Sequence, residues 1–173
     1  MCRLLRFTFV PEFYFDTFDM ANVDFLLSHN IKSIILDVDN TLEPYENPHP
    51  TEKVLAWFKE LDAHGIKAAI VSNNDAERIN LFNENIGIPA YSKAKKPFKK
   101  NVLNAMRDIG AVPESTALMG DQVFTDVWAA HNTGIRAILV PPIRDKRDFF
   151  TRFKRWLEKP ILKKYQRKRG QGL

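Results

Sequence analysis

Five short apolar runs alternate with segments of helical spacing through the middle of the chain, and this alternation constrains the fold more than any other feature. The runs are "SIILDV" (33–38), "KAAIVS" (67–72), "IPAYS" (88–92), "TALMG" (116–120) and "RAILVP" (136–141). Each is too short for a helix and reads as a buried strand. Between them, "TEKVLAWFKELDAHG" sets Val54, Trp57, Phe58 and Leu61 on one helical face, with Thr51 as cap and Gly65 as stop. "DAERINLFNENIG" runs from Asp75 to Gly87, and "TDVWAAHNTG" closes at Gly134. "PFKKNVLNAMRDIG" offers Pro97 to a first helical turn and ends at Gly110. A further helix, "ANVDFLLSHN", precedes the first strand. Strands separated by single helices predict an α/β fold, with a mainly parallel sheet covered on both faces.

At 173 residues the chain is expected to be one domain with a substantial core. Its single cysteine, Cys2, excludes an internal disulfide and a polycysteine metal site, and favours a reducing, cytoplasmic setting. No run reaches the roughly 18 to 20 apolar residues that span a bilayer. The opening "MCRLLRFTFVPEFYF" is interrupted by Arg6, Pro11 and Glu12 and lacks a small-residue cleavage site. It reads as mature sequence packed on the domain or on a membrane face. Charge divides the chain: residues 144–169 carry 12 Lys or Arg against 3 Asp or Glu, whereas residues 1–143 carry 14 against 18. The expected organisation is therefore a core over 1–143 and a basic C-terminal helix and tail over 144–173. A tail of that sign suits an anionic partner.

In an open parallel sheet, the ligand crevice forms at the carboxyl ends of the strands. The first run delivers Asp37 and Asp39 there, and the second delivers Ser72 and Asn73. Lys93, Lys95 and Lys96 follow the third, and Asp121 and Asp126 the fourth. Adjacent carboxylates need a positive partner, and a hard cation such as Mg²⁺ suits few oxygen ligands. A calcium-binding EF-hand loop is excluded, because its sixth position would be Leu42 and its twelfth Pro48. A cation beside a lysine and a Ser/Asn pair forms a cup for phosphate, and aspartate is a known nucleophile toward phosphorus.

"DVDNTL" (37–42), "VSNN" (71–74), "KKP" (95–97) and "GDQVFTD" (120–126) resemble, in order and placement, the four motifs of haloacid dehalogenase (HAD) superfamily phosphatases of subfamily IIIA. "HGIKAAIVSNN", "GIPAYSKAKKP" and "DFFTRFKRWLEKPIL" extend the resemblance to the YqeG-type branch over nearly the whole chain. It implies a HAD-like three-layer α/β/α sandwich and phosphatidylglycerophosphate phosphatase activity. Carried over, Asp37 is the nucleophile and a metal ligand. Asp39 is the acid and base, and its main-chain carbonyl is a further ligand. Ser72, the amide of Asn73 and Thr41 bind the phosphoryl group. Asp121 is a metal ligand, and Asp126 holds a metal-bound water or the lysine. Lys96 is the phosphate-neutralising lysine, with Lys93 and Lys95 as competitors.

Only 28 residues (43–70) separate the first two motifs and 20 (75–94) the next pair, each mostly used by a helix. No large cap domain fits, and an open site suits a phosphate on a large or membrane-embedded body. The tail sets Phe149, Phe150, Phe153, Trp156, Leu157, Ile161 and Tyr165 among basic residues at helical spacing, the pattern of an interfacial helix at the inner face of a membrane. Such a stripe also serves core packing. Three functions fit the residues: a lipid phosphatase, the same chemistry on a soluble or nucleic-acid phosphomonoester, and a non-catalytic RNA- or membrane-binding module. The four histidines, His29, His49, His64 and His131, are too scattered to form a metal site.

Overall fold

The computed structural model describes residues 9–144; the expected basic helix and tail, and the domain boundary before them, lie at or outside that limit. Six strands form one sheet: β1 (Phe13–Tyr14), β2 (Ser33–Leu36), β3 (Lys67–Val71), β4 (Ala90–Tyr91), β5 (Thr116–Gly120) and β6 (Arg136–Leu139). Their order is β1-β6-β5-β2-β3-β4, and every pairing is parallel. The helices are α1 (Val23–Ser28), α2 (Glu52–Ala63), α3 (Ala76–Asn83), α4 (Lys100–Asp108) and α5 (Trp128–Thr133).

All four residues of the central strand β2 are buried. The two-residue period of a strand sends them to opposite faces. Ile34 and Leu36 belong to the core cluster that holds Trp57, Phe58 and Leu61 of α2 and Phe82 of α3, whereas Ile35 belongs to the cluster that holds Val102 and Met106 of α4 and Ala129 of α5. A strand covered on both sides has little room for large polar side chains, which is why these runs are nearly continuous in the sequence, small Ser33 and Thr116 being the buried polar residues at their starts. The three-layer α/β fold expected from the alternation is the fold observed.

Three local expectations are corrected. The N-terminal segment does more than pack on the domain: Phe13–Tyr14 adds a sixth, edge strand beside β6. Glu12 N donates to Ala137 O and Phe15 N to Leu139 O, which extends the ladder beyond the short strand. A two-residue strand is too brief for any periodicity to register. Thr51 occupies the N-cap of α2 without a side-chain capping bond, and its main-chain N donates instead to Glu43 Oε1 at 2.9 Å. Pro97 follows a cis peptide bond from Lys96, and α4 begins only at Lys100. Side chains hold this stretch outside the helix: Asn73 bonds the main chain of Lys96, and Asn132 Nδ2 donates to Pro97 O at 3.0 Å.

Candidate active site

The ladder of β2 carries one step past the strand, where Asp37 N donates to Met119 O at 2.9 Å. The chain then turns sharply. Asn40 takes a left-handed φ of 62°, a conformation asparagine tolerates better than most residues. Asn40 N donates to Glu43 O at 2.7 Å, closing the turn. Buried Glu43 ties down the following loop, accepting from Thr51 N through Oε1 and from Asn47 Nδ2 through Oε2. The connection from β2 to α2, residues 37–51, is therefore a pinned loop. Among the described residues, no inserted domain stands over the strand ends.

Of the three competing lysines, only Lys96 is buried; Lys93 and Lys95 are exposed. Its Nζ lies 3.0 Å from Asp37 Oδ1 and 2.6 Å from Asp126 Oδ1. The selection is made by the main chain. Asn73 Oδ1 accepts from Lys96 N at 2.6 Å and Asn73 Nδ2 donates to Lys96 O at 3.2 Å, clamping one residue of the loop by both its polar groups. Lys93 and Lys95 on either side adopt left-handed φ angles of 45° and 57°. Strain of this kind collects where a loop is over-determined by its surroundings.

Asp121 follows β5 directly, and Asp126 returns to it from a π-helical turn, Val123–Val127. Gln122 N and Thr125 Oγ1 each donate to Asp126 Oδ2 at 3.1 Å. The Asp126 side chain lies flat on Gly120: a Cβ there would sit 2.2 Å from Asp126 Cγ. That close approach explains why glycine ends β5.

Asp37, Asp121 and Asp126 are buried, and one oxygen from each falls within a 4.8 Å group. Burial pushes Asp37 up to about 6; the Lys96 ammonium opposes this, while the charges of Asp126 and Asp39 add to it. Burial works against the Lys96 ammonium too, but Asp126 and Asp37 outweigh it and hold Lys96 above the ordinary lysine value. Two of the three carboxylates thus share the Lys96 ammonium, and Asp121 adds a third buried acid beside them. A buried excess of negative charge with oxygen donors this close fits a divalent cation, as the strand-end acids implied.

The remaining predicted residues divide. Ser72 is buried, lines the cavity, and accepts from Asn74 N through its Oγ at 3.1 Å. Thr41 is 1% exposed, and its Oγ1 makes no hydrogen bond to a described protein group. Asp39 lies outside the carboxylate trio: its Oδ1 accepts from Arg78 Nε at 3.1 Å and its Oδ2 from Asn74 Nδ2 at 2.8 Å. Asp37, Asp39, Asn40, Tyr45, Ser72, Asn73, Asn74, Lys96, Gln122 and Thr125 line a cavity of about 350 Å³. The sequence reading missed Arg78, Asn74, Glu43 and the side-chain clamp of Asn73. An arginine at a core-facing helix position was the one available signal.

A family model described as haloacid dehalogenase-like hydrolase matches residues 14–140, which hold all of these groups. The chain belongs to that family. It is also 38% identical over 165 residues to the probable phosphatase YqeG of Bacillus subtilis, an alignment covering 95% of this chain and 96% of that one. Among solved structures it resembles CbbY of Rhodobacter sphaeroides in complex with phosphate, with a TM-score of 0.56 and 14% identity over 69% of this chain and 90% of that one. It likewise resembles the cobalt-bound deoxy-D-mannose-octulosonate 8-phosphate phosphatase of Haemophilus influenzae, with a TM-score of 0.53 and 18% identity over 80% and 88%. At such identities the two structures speak for the hydrolase fold alone.

Proposed function

We propose that this hydrolase is a phosphatase that cleaves a phosphomonoester through an aspartyl-phosphate on Asp37, and that its substrate is a lipid, phosphatidylglycerophosphate, converted to phosphatidylglycerol. The observation that carries the chemistry is the pairing of buried Asp37 with buried Lys96 inside an uncapped cavity. The YqeG relative, named a probable phosphatase, supports it.

Asp37 attacks phosphorus, forming an Asp37 O–P bond as the ester P–O bond breaks. Asp39 gives its proton to the departing alkoxide. In the second half, the Asp39 carboxylate takes a proton from water, whose oxygen attacks phosphorus and breaks the Asp37 O–P bond. Phosphate leaves, and both aspartates return to their starting forms. Lys96 neutralises the phosphoryl oxygens, while Ser72, the Asn73 amide and Thr41 orient them. Asp37, Asp121 and Asp126, with the Asp39 carbonyl, would hold a divalent cation, Mg²⁺ in this reading, which when bound supplies further charge stabilisation at the phosphoryl group.

The lipid assignment draws on the surface around the cavity. Tyr45 lines the cavity and is 48% exposed; Phe98, two residues from Lys96, is 71% exposed. Ile143, whose N donates to Asn40 O, is also exposed. Lys93, Lys95 and Lys99 stand exposed in the same loop as Phe98, and Lys100 stands exposed at the start of α4. Apolar tips among lysines suit an anionic bilayer surface, where each cation contributes about 1 kcal/mol before screening. The test is phosphate release from phosphatidylglycerophosphate in mixed micelles against a panel of soluble phosphomonoesters, with and without Mg²⁺. Preference for the lipid is expected; equal or faster turnover of a soluble ester would overturn the lipid assignment, and indifference to chelator the cation.

A further inference from the structure

One buried cation has no part in the chemistry above. Arg78 sits in the first turn of α3, 8% exposed, where its N donates to the cap oxygen of Asp75. Its Nε donates to Asp39 Oδ1 at 3.1 Å and its Nη1 to Pro48 O at 2.7 Å, while its guanidinium lies 5.6 Å from the Phe82 ring centre. Its Nη2 is buried without a partner among the described residues. An apolar residue would fill this place without leaving a donor unmet, so core packing alone does not account for an arginine.

The second oxygen of Asp39 is held from the same helix end. Asn74 Nδ2 donates to Asp39 Oδ2 at 2.8 Å, and Asn74 is itself fixed: its Oδ1 accepts from Asp75 N and its main-chain O from Lys93 N. Asp39 thus has both oxygens restrained by side chains that are each anchored elsewhere. Proton transfer requires the acid within hydrogen-bond reach of the leaving oxygen, and a loosely held carboxylate spends most of its time elsewhere.

We propose that Arg78 and Asn74 are a positioning pair that fixes the Asp39 carboxyl group at the reacting centre. Neither touches the reacting atoms. Through Pro48 O, Arg78 also ties the loop that carries Tyr45 to the same unit. This inference rests on the reading of Asp39 as the proton carrier.

Leaving-group dependence tests it. Para-nitrophenol departs without a proton, whereas an alkoxide needs one. The full-length protein, Asp39→Asn, Arg78→Lys and Asn74→Ala are compared on para-nitrophenyl phosphate and on an alkyl monoester. The monoester is phosphatidylglycerophosphate or glycerol phosphate, whichever the unaltered protein turns over faster. Arg78→Lys keeps charge and stem, and part-buried Asn74 is cheap to truncate, so thermal melts should confirm folding. Each variant is expected to lower kcat on the alkyl ester by about 10²-fold, the scale of a small misplacement of a reacting group, with KM unchanged. The para-nitrophenolate burst, which reports phosphorylation of Asp37 without a proton from Asp39, should stay within about threefold in rate, whereas steady-state turnover of that ester falls because water activation by Asp39 is common to both substrates. Equal losses in the para-nitrophenolate burst rate and in single-turnover cleavage of the alkyl ester by Arg78→Lys and Asn74→Ala would reduce the pair to structural support and overturn the inference, as would no loss in either. If Asp39→Asn itself shows no leaving-group selectivity, the reading of Asp39 falls first and the pair's role with it.

Discussion

The two ends of the sheet are made by the same strands, yet their loops bring different chemistry to them. At the amino ends, a groove of about 970 Å³ runs between α2, the approach to β4 and the end of α4. At the carboxyl ends, the cavity is about 350 Å³. The larger groove carries Lys59, Asp62, Lys67, Arg107 and Asp108, all exposed and relaxed by water. The smaller one is lined by Asp37 and Lys96, which group with Asp121 and Asp126, all four buried. Volume therefore does not mark the site. Buried charge does, because folding tolerates it only when each group is held by others.

The comparison breaks most visibly at Asp37. Asp37→Asn is expected to lower turnover by roughly 10⁴-fold or more, the scale of losing a group that acts in a concerted set. Circular dichroism and melting should remain those of a folded protein. Retained activity would remove the nucleophile from this end of the sheet.

Lys96→Met should follow in size. It leaves the carboxylates without their ammonium, and breaking a buried pair on one side costs about 3–5 kcal/mol. Urea unfolding in chelator measures the loss, and a divalent cation should return part of it. An unchanged midpoint would mean that the buried charges do not depend on one another.

Gly120→Ala tests packing without touching charge. The new Cβ would meet Asp126 Cβ at 2.4 Å and Cγ at 2.2 Å, so Asp126 must move. Overpacking of this kind costs about 1–3 kcal/mol, and activity should fall as Asp126 leaves Lys96. A melting temperature and kcat like those of the unaltered chain would contradict the close approach.

At the amino end the effects shrink. Glu12 Oε2 accepts from Ala137 N at 2.7 Å and lies 3.2 Å from His131 Nε2. Burial raises the Glu12 carboxyl, but the hydrogen bonds from His131 and Ala137 outweigh it and hold it below its ordinary value of 4.5. A carboxyl lowered by folding contributes stability that is full above 4.5 and is lost as pH falls through the lowered value. Glu12→Gln should flatten that acid limb slightly, since the side chain is 40% exposed and screened by water. Midpoints measured across that acid range would show it. Lys59→Ala, in the larger groove, should change stability by no more than about 0.5 kcal/mol and leave turnover unaltered. A marked loss of activity there would contradict the contrast between the two ends.

Much of this was legible before any coordinates, for physical reasons. A strand buried on both faces is mostly apolar, so "SIIL" and "TALMG" announced themselves. Crossover helices need a stripe and a stop, so α2 and α3 did as well. Acids at the ends of such strands have few explanations, which made Asp37 and Asp39 after the first and Asp121 and Asp126 after the fourth readable as candidate site residues. The brief edge strand Phe13–Tyr14 left no trace, because pairing with β6 depends on a partner far away in the chain. Asn74 was equally silent and Arg78 showed only as an arginine on a core-facing helix position, since their meaning comes from Asp39, 35 and 39 residues away.

What the amino-acid order decided alone is therefore the class of fold and which strand ends are acidic, because both follow from local periodicity. Tertiary structure decided between Lys96, which the family resemblance favoured, and its two competitors. Lys93, Lys95 and Lys96 are chemically equivalent in the sequence, and only the two-bond grip of Asn73 on the Lys96 main chain turns one of them inward. A choice among identical side chains is made by backbone geometry, which arises only once distant segments meet.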